Sequence, residues 1–135
     1  MIYNREAAAG DAAMETAKKM VAAAVTAPKG CGHDNIEAMV LDGDEMKLAE
    51  YCRQIGMDTN TDFFVRDAKT IEMSRCVVLI GANDSPILLD NCGLCGFENC
   101  ANTMEKGANC AFNIVDLGIA IGSAVSIAAD NRIDN

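Results

Sequence analysis

The chain has 135 residues, half of them hydrophobic, and carries 11 Lys and Arg against 20 Asp and Glu, a formal net charge of −9. That length predicts a single domain over residues 1–135, and so high an apolar content excludes a disordered chain. The acidic balance, with no basic run and no aromatic residues interleaved with basic ones, leaves no nucleic acid among the expected partners, because such a surface repels a phosphate backbone.

From Glu6 to Ala27, the residues Met14, Ala17, Val21, Ala24 and Val25 recur at helical spacing and predict an amphipathic first helix, ended by Pro28 and Gly30. After the loop from Pro28 to Asn35, the run Ile36 to Leu41 predicts a strand, closed by the turn Asp42-Gly43-Asp44. A helix follows in which Leu48, Tyr51, Cys52 and Ile55 share a face, with Gly56 expected as its C-terminal cap. Between Met57 and Ser74, Phe63-Phe64-Val65 reads as a short strand and Asp67 to Ser74 as a short helix. The unbroken apolar run Cys76 to Gly81 predicts a central strand buried on both faces.

The last apolar stretch, Ala111 to Ala129, is hydrophobic nearly all round but contains Asn113, Asp116, Ser123 and Ser126. It is expected as a buried helix, enclosed by other elements or a second subunit, and not as a membrane insertion. Gly118 and Gly122, four apart, point to close helix packing across a homodimer interface. Asp116 is expected as a hydrogen-bond anchor, Cys52 and Cys76 as core residues, and the eight methionines as core filler. The start Met1-Ile2-Tyr3-Asn4-Arg5-Glu6 has no basic head or apolar run of a signal peptide, and seven cysteines is an odd number for a secreted disulfide scaffold. A cytoplasmic setting is expected.

The strongest chemical signal is C-x2-C-x4-C-x9-C, formed by Cys92, Cys95, Cys100 and Cys110 within a Gly-rich insert over residues 91–110. A C-x2-C pair puts two sulfurs on one tight turn, and two further cysteines complete a four-thiolate set. Gly93 and Gly96 permit backbone conformations that turn N–H groups toward sulfur. Three readings of this set stay open: an iron–sulfur cluster, a structural zinc, or cysteines without metal. The glycines favour the cluster, since a zinc site usually brings a second C-x2-C knuckle or paired histidines, and the sole histidine is His33. No serine–histidine–acid set, phosphate loop or paired-carboxylate motif stands out, so whether the chain is an enzyme is left open.

The run Cys92-x-x-Cys95-Gly96-Phe97-x-x-Cys100 resembles the [4Fe-4S] motif of the ferredoxin-like subunit of Rnf-type electron-transport complexes, in which the gap to the last cysteine is longer than here. More widely, Thr26 to Gly32, Asn91 to Cys100 and Cys110 to Ala120 resemble an uncharacterised prokaryotic family of ferredoxin-domain-containing proteins. These resemblances imply one [4Fe-4S] cluster on Cys92, Cys95, Cys100 and Cys110, and electron transfer with a redox partner protein.

Ala27-Pro28-Lys29 and Asp116-Leu117-Gly118-Ile119-Ala120 resemble, more weakly, the nitroreductase-like flavoprotein fold. That resemblance implies an α+β class, a nitroreductase-like sheet with packed helices and a small cysteine-rich iron–sulfur insert. It also implies a homodimer with FMN at the subunit interface, near the loop Pro28, Lys29, Gly30, Cys31 and Gly32, although Lys29 stands where the family's loop has a serine. Two alternatives to a simple electron carrier follow: a flavin-dependent oxidoreductase with the cluster as relay, or a zinc-stabilised interaction module without redox chemistry.

Overall fold

A computed structural model describes residues 2–134. Its elements in chain order are helix α1 (Arg5–Thr26), a single 3-10 turn (Gly30–Gly32), strand β1 (Ile36–Leu41), helices α2 (Glu45–Thr59) and α3 (Asp62–Met73), strand β2 (Val77–Ala82), the short helix α4 (Cys100–Glu105) and helix α5 (Ala111–Asp130). The class is α+β, with β1 and β2 paired in a two-stranded sheet. Asn83 N–H donates to Asn35 C=O at 2.8 Å, so the start of β1 lies beside the end of β2 and the strands run antiparallel.

The chain forms two compact units: residues up to Lys18 together with Val40–Leu79, and Lys19–Met39 together with the residues from Ile80 onward. In the first unit, α2 and α3 make a helical hairpin. Arg53 on α2 bonds Glu50 at 2.6 Å on its own helix and pairs with Glu72 on α3. Gly56 is buried where the helices meet: a Cβ there would stand 2.8 Å from Val65 Cγ2 and 3.2 Å from Phe64 Cβ. The C-terminal cap of α2 is instead Asn60, at φ 52° and ψ 48°, one of the few side chains that tolerate the left-handed region. Gly56 therefore serves close approach, not the cap expected from the sequence.

Helix α3 covers both Phe63-Phe64-Val65 and Asp67–Met73, where a short strand and a separate helix were expected. Its buried position is Ala68, and packing on α2 through Phe64 and Val65 overrides the strand preference of three apolar residues. Strand β2 also departs from expectation. None of its residues is fully buried, Leu79 is 37% exposed, and among the described residues it pairs with β1 alone, so it is an edge strand and not a central one. Cys52 and Cys76 are half-buried, and of the methionines Met20 is in the core while Met39, Met46, Met57, Met73 and Met104 are exposed.

In the second unit, the C-terminal part of α1 packs on α5, Ser123 Oγ donating to Ala23 C=O at 3.0 Å. Ala24 on α1 and Ala120, Ala124 and Ala128 on α5 are fully buried, and their small side chains let the two backbones come close. The end of α1 is finished by Lys29, whose ammonium donates to the carbonyls of Ala24 (3.3 Å), Val25 and Ala27 (2.9 Å). This cation at a helix C-terminus satisfies orphan carbonyls and complements the helix dipole.

Helix α5 is long and apolar enough to cross a membrane by length and composition. It is only partly enclosed: Asn113, Asp116, Ala120, Ala124 and Ala128 are buried, while Ile114, Val115, Ile119, Ile121 and Val125 are 38–53% exposed. Gly118 and Gly122 lie on that open side, where an added Cβ would meet nothing within 4 Å. The close packing their spacing suggests is thus not made among the described residues.

Replacing Gly56 with Ala tests the hairpin. The substitution gains about 1 kcal/mol of helix propensity but pushes a methyl into Val65 and Phe64, an overpacking cost of about 1–3 kcal/mol. A lower urea midpoint at unchanged slope is expected, and an equal or higher midpoint would show that the crowding is harmless.

Candidate metal centre

Between β2 and α5 the chain has little regular structure beyond α4, and its turns and helix ends set out the cysteines. The Cys92–Cys95 turn closes with Gly96 N–H donating to Gly93 C=O at 2.9 Å, and Gly96 sits at φ 86°, where a side chain would be strained. Cys100 opens α4, which is capped by Asn99, its Oδ1 accepting the Asn102 N–H at 2.9 Å. Cys110 occupies the N-cap position of α5 and is 8% exposed.

These positions bring Cys92, Cys95, Cys100 and Cys110 to the walls of one pocket, which Pro86, Leu94, Asn99, Thr103, Ala111 and Phe112 complete. All four cysteines are free thiols. Among the described residues, however, no three His, Cys, Asp or Glu side chains converge as ligands of one ion.

The sulfurs differ in environment. Cys95 Sγ lies 3.3 Å from Thr103 Oγ1, and Thr103 is only 1% exposed. The hydroxyl of Thr103, followed by the backbone N–H of Phe97, holds the Cys95 thiol below the usual cysteine range by stabilising the thiolate. Outside the pocket, burial pushes the Cys76 thiol up.

The first two turns of α5 are fixed by two buried polar side chains. Asn113 accepts from Asn35 Nδ2 at 3.0 Å and donates to the carbonyls of Asn83 (3.1 Å) and Ser85 (2.8 Å). Asp116, 5% exposed, accepts the Gly30 N–H with both carboxylate oxygens at 3.0 Å. Asp116 is thus the anchor the sequence suggested, and it anchors the loop after α1.

That loop holds the second set of candidate residues, Pro28, Lys29, Gly30, Cys31 and Gly32. None of the five lines the cysteine pocket. Gly30 packs on the pocket residue Phe112 so closely that a Cβ would stand 2.6 Å from Phe112 Cδ1. Cys31 is exposed at φ 53°, and Lys29, its side chain 7% exposed, is taken up in capping α1 and facing Asp34 at 3.6 Å. His33 is exposed, while Asp34 accepts the Ile36 N–H at 3.2 Å and so closes the loop.

Sequence reasoning missed Thr103 and Phe112. Thr103 was within reach, because it follows Cys100 by three residues and so shares its face of α4. Phe112 carried no signal of its own.

A family model described as "Uncharacterized protein containing a ferredoxin domain (DUF2148)" matches residues 106–135, the segment with Cys110 and α5. An uncharacterized protein of Archaeoglobus fulgidus is 40% identical over 124 residues, covering 85% of this chain and 67% of that protein. The chain belongs to this ferredoxin-domain family. Membership points to an iron–sulfur group and electron transfer in general terms, and the four-thiol pocket is the donor set such a group takes. No solved structure matches the chain.

Two measurements follow from this geometry. In metal-free protein, alkylation mapped by mass spectrometry across a pH series should modify Cys95 at lower pH than Cys76, because the thiolate is the reacting form; the reverse order would contradict the Thr103 contact. Asp116→Ala leaves the Gly30 N–H without its acceptor and should cost about 1–3 kcal/mol in thermal or urea unfolding. Faster hydrogen exchange at the Gly30 amide should accompany it.

Proposed function

We propose that the protein is a cytoplasmic electron carrier that holds one [4Fe-4S] cluster on Cys92, Cys95, Cys100 and Cys110 and exchanges single electrons with a redox partner protein. The observation that carries this reading is the arrangement of the sulfurs. Four thiols line one pocket in a chain whose family is described by a ferredoxin domain, and four cysteine thiolates are the ligand set that a [4Fe-4S] cluster takes. The cluster, when bound, supplies the site for the transferred electron. The chain would hold it with four thiolates, and Pro86, Leu94 and Phe112, which line the same pocket, would limit water around it.

The carrier is favoured over a flavin-dependent oxidoreductase by the state of the loop after α1. Lys29, the cation that could meet a flavin phosphate there, is spent on the α1 carbonyls and on Asp34. Pairing of two copies through the open face of α5 belongs to the same proposal, since Ile114, Ile119, Ile121 and Val125 present an uncharged surface that water disfavours.

Anaerobic purification with iron, sulfide and zinc assayed on one sample tests the reading. About four iron and four sulfide per chain are expected, with a brown colour, and Cys95→Ala should lose both. A colourless protein with one zinc per chain, prepared with iron and sulfide available, would establish the interaction-module reading instead, and co-purifying FMN would establish the flavoenzyme. Light scattering should give twice the chain mass, and Ile119→Asp should return it to that of one chain.

A further inference from the structure

Resting on the cluster reading above, we infer that Thr103 sets the reduction potential of the site by donating its hydroxyl proton to the sulfur of Cys95. Thr103 Oγ1 lies 3.3 Å from Cys95 Sγ and 3.2 Å from the Asn99 carbonyl, so one hydroxyl faces two partners. In the metal-free protein both contacts can be satisfied in series, the thiol donating to the hydroxyl and the hydroxyl to the carbonyl. Ligation to iron removes the thiol proton, and the sulfur can then only accept.

Two observations free the hydroxyl to turn to it. The Asn99 carbonyl also accepts the Thr103 N–H at 3.2 Å, so it is not orphaned when the hydroxyl leaves. Thr103 is 1% exposed, so water does not compete for its proton. A donor to a ligating sulfur lowers the energy of the added negative charge, and thus favours the reduced cluster. On reduction the cluster gains one electron from the external donor, and Thr103 keeps its proton throughout. It acts as a positioning residue through Cys95.

The test is an anaerobic redox titration with dithionite as electron donor, followed by electron paramagnetic resonance, on the native protein and on Thr103→Val, Thr103→Ala and Thr103→Ser. The midpoint potential should move to more negative values in T103V and T103A and stay near native in T103S, with iron and sulfide content unchanged. A native potential in T103V or T103A with the cluster intact overturns the inference. Loss of the cluster from both overturns it as well, since Thr103 would then serve assembly and not potential. A native protein without iron and sulfide would instead sink the cluster reading itself, so the two failures are distinct.

Discussion

The site depends on how the N-terminal turns of α5 are held. Two buried side chains do this, Asn113 reaching Asn35, Asn83 and Ser85, and Asp116 taking the Gly30 N–H with both oxygens. Both would be costly without these partners, because a buried polar group that loses its hydrogen bonds is left with its full desolvation penalty. The same bonds fix Cys110, which stands three residues before Asn113 and six before Asp116, and they fix Phe112 between them. The fourth thiol is therefore placed by the anchoring of a long helix, while the other three are placed by local turns and the start of α4.

The division between what the sequence disclosed and what it did not follows the range of the interactions. C-x2-C-x4-C is a local pattern whose geometry is set by nearby turn glycines and a helix start, and its gathering with Cys110 at one pocket was legible. So was the role of Asp116, because a lone acid on an apolar helix must find a donor. The misreadings were all of packing at a distance. Gly56 looked like a helix terminator because glycine serves both as a left-handed cap and as a gap for a neighbouring helix, and only the position of Val65 distinguishes the two. Phe63-Phe64-Val65 looked like a strand because its helical partner face on α2 is not visible in a three-residue window. That the Lys29 ammonium reaches back along α1 to its last carbonyls was likewise invisible in the sequence.

The cysteines themselves sort by surroundings. Cys95 has a hydroxyl and a backbone N–H near its sulfur and leans toward the thiolate, the form that binds metal. Cys76, with burial as its main influence, leans toward the neutral thiol. Identical side chains are thereby distinguished by the few groups within hydrogen-bond reach and by burial.

The open face of α5 also has a consequence for handling the protein in different buffers. Five exposed Ile and Val side chains lie on a chain of net charge −9. At low ionic strength the long-range repulsion between chains opposes contact of these faces, whereas at physiological salt the Debye length shrinks to about 8 Å and the repulsion is largely screened. Salts excluded from the protein surface, such as sulfate, strengthen apolar burial further. Any pairing of copies through this helix would therefore be weaker in dilute buffer and stronger under cell-like salt.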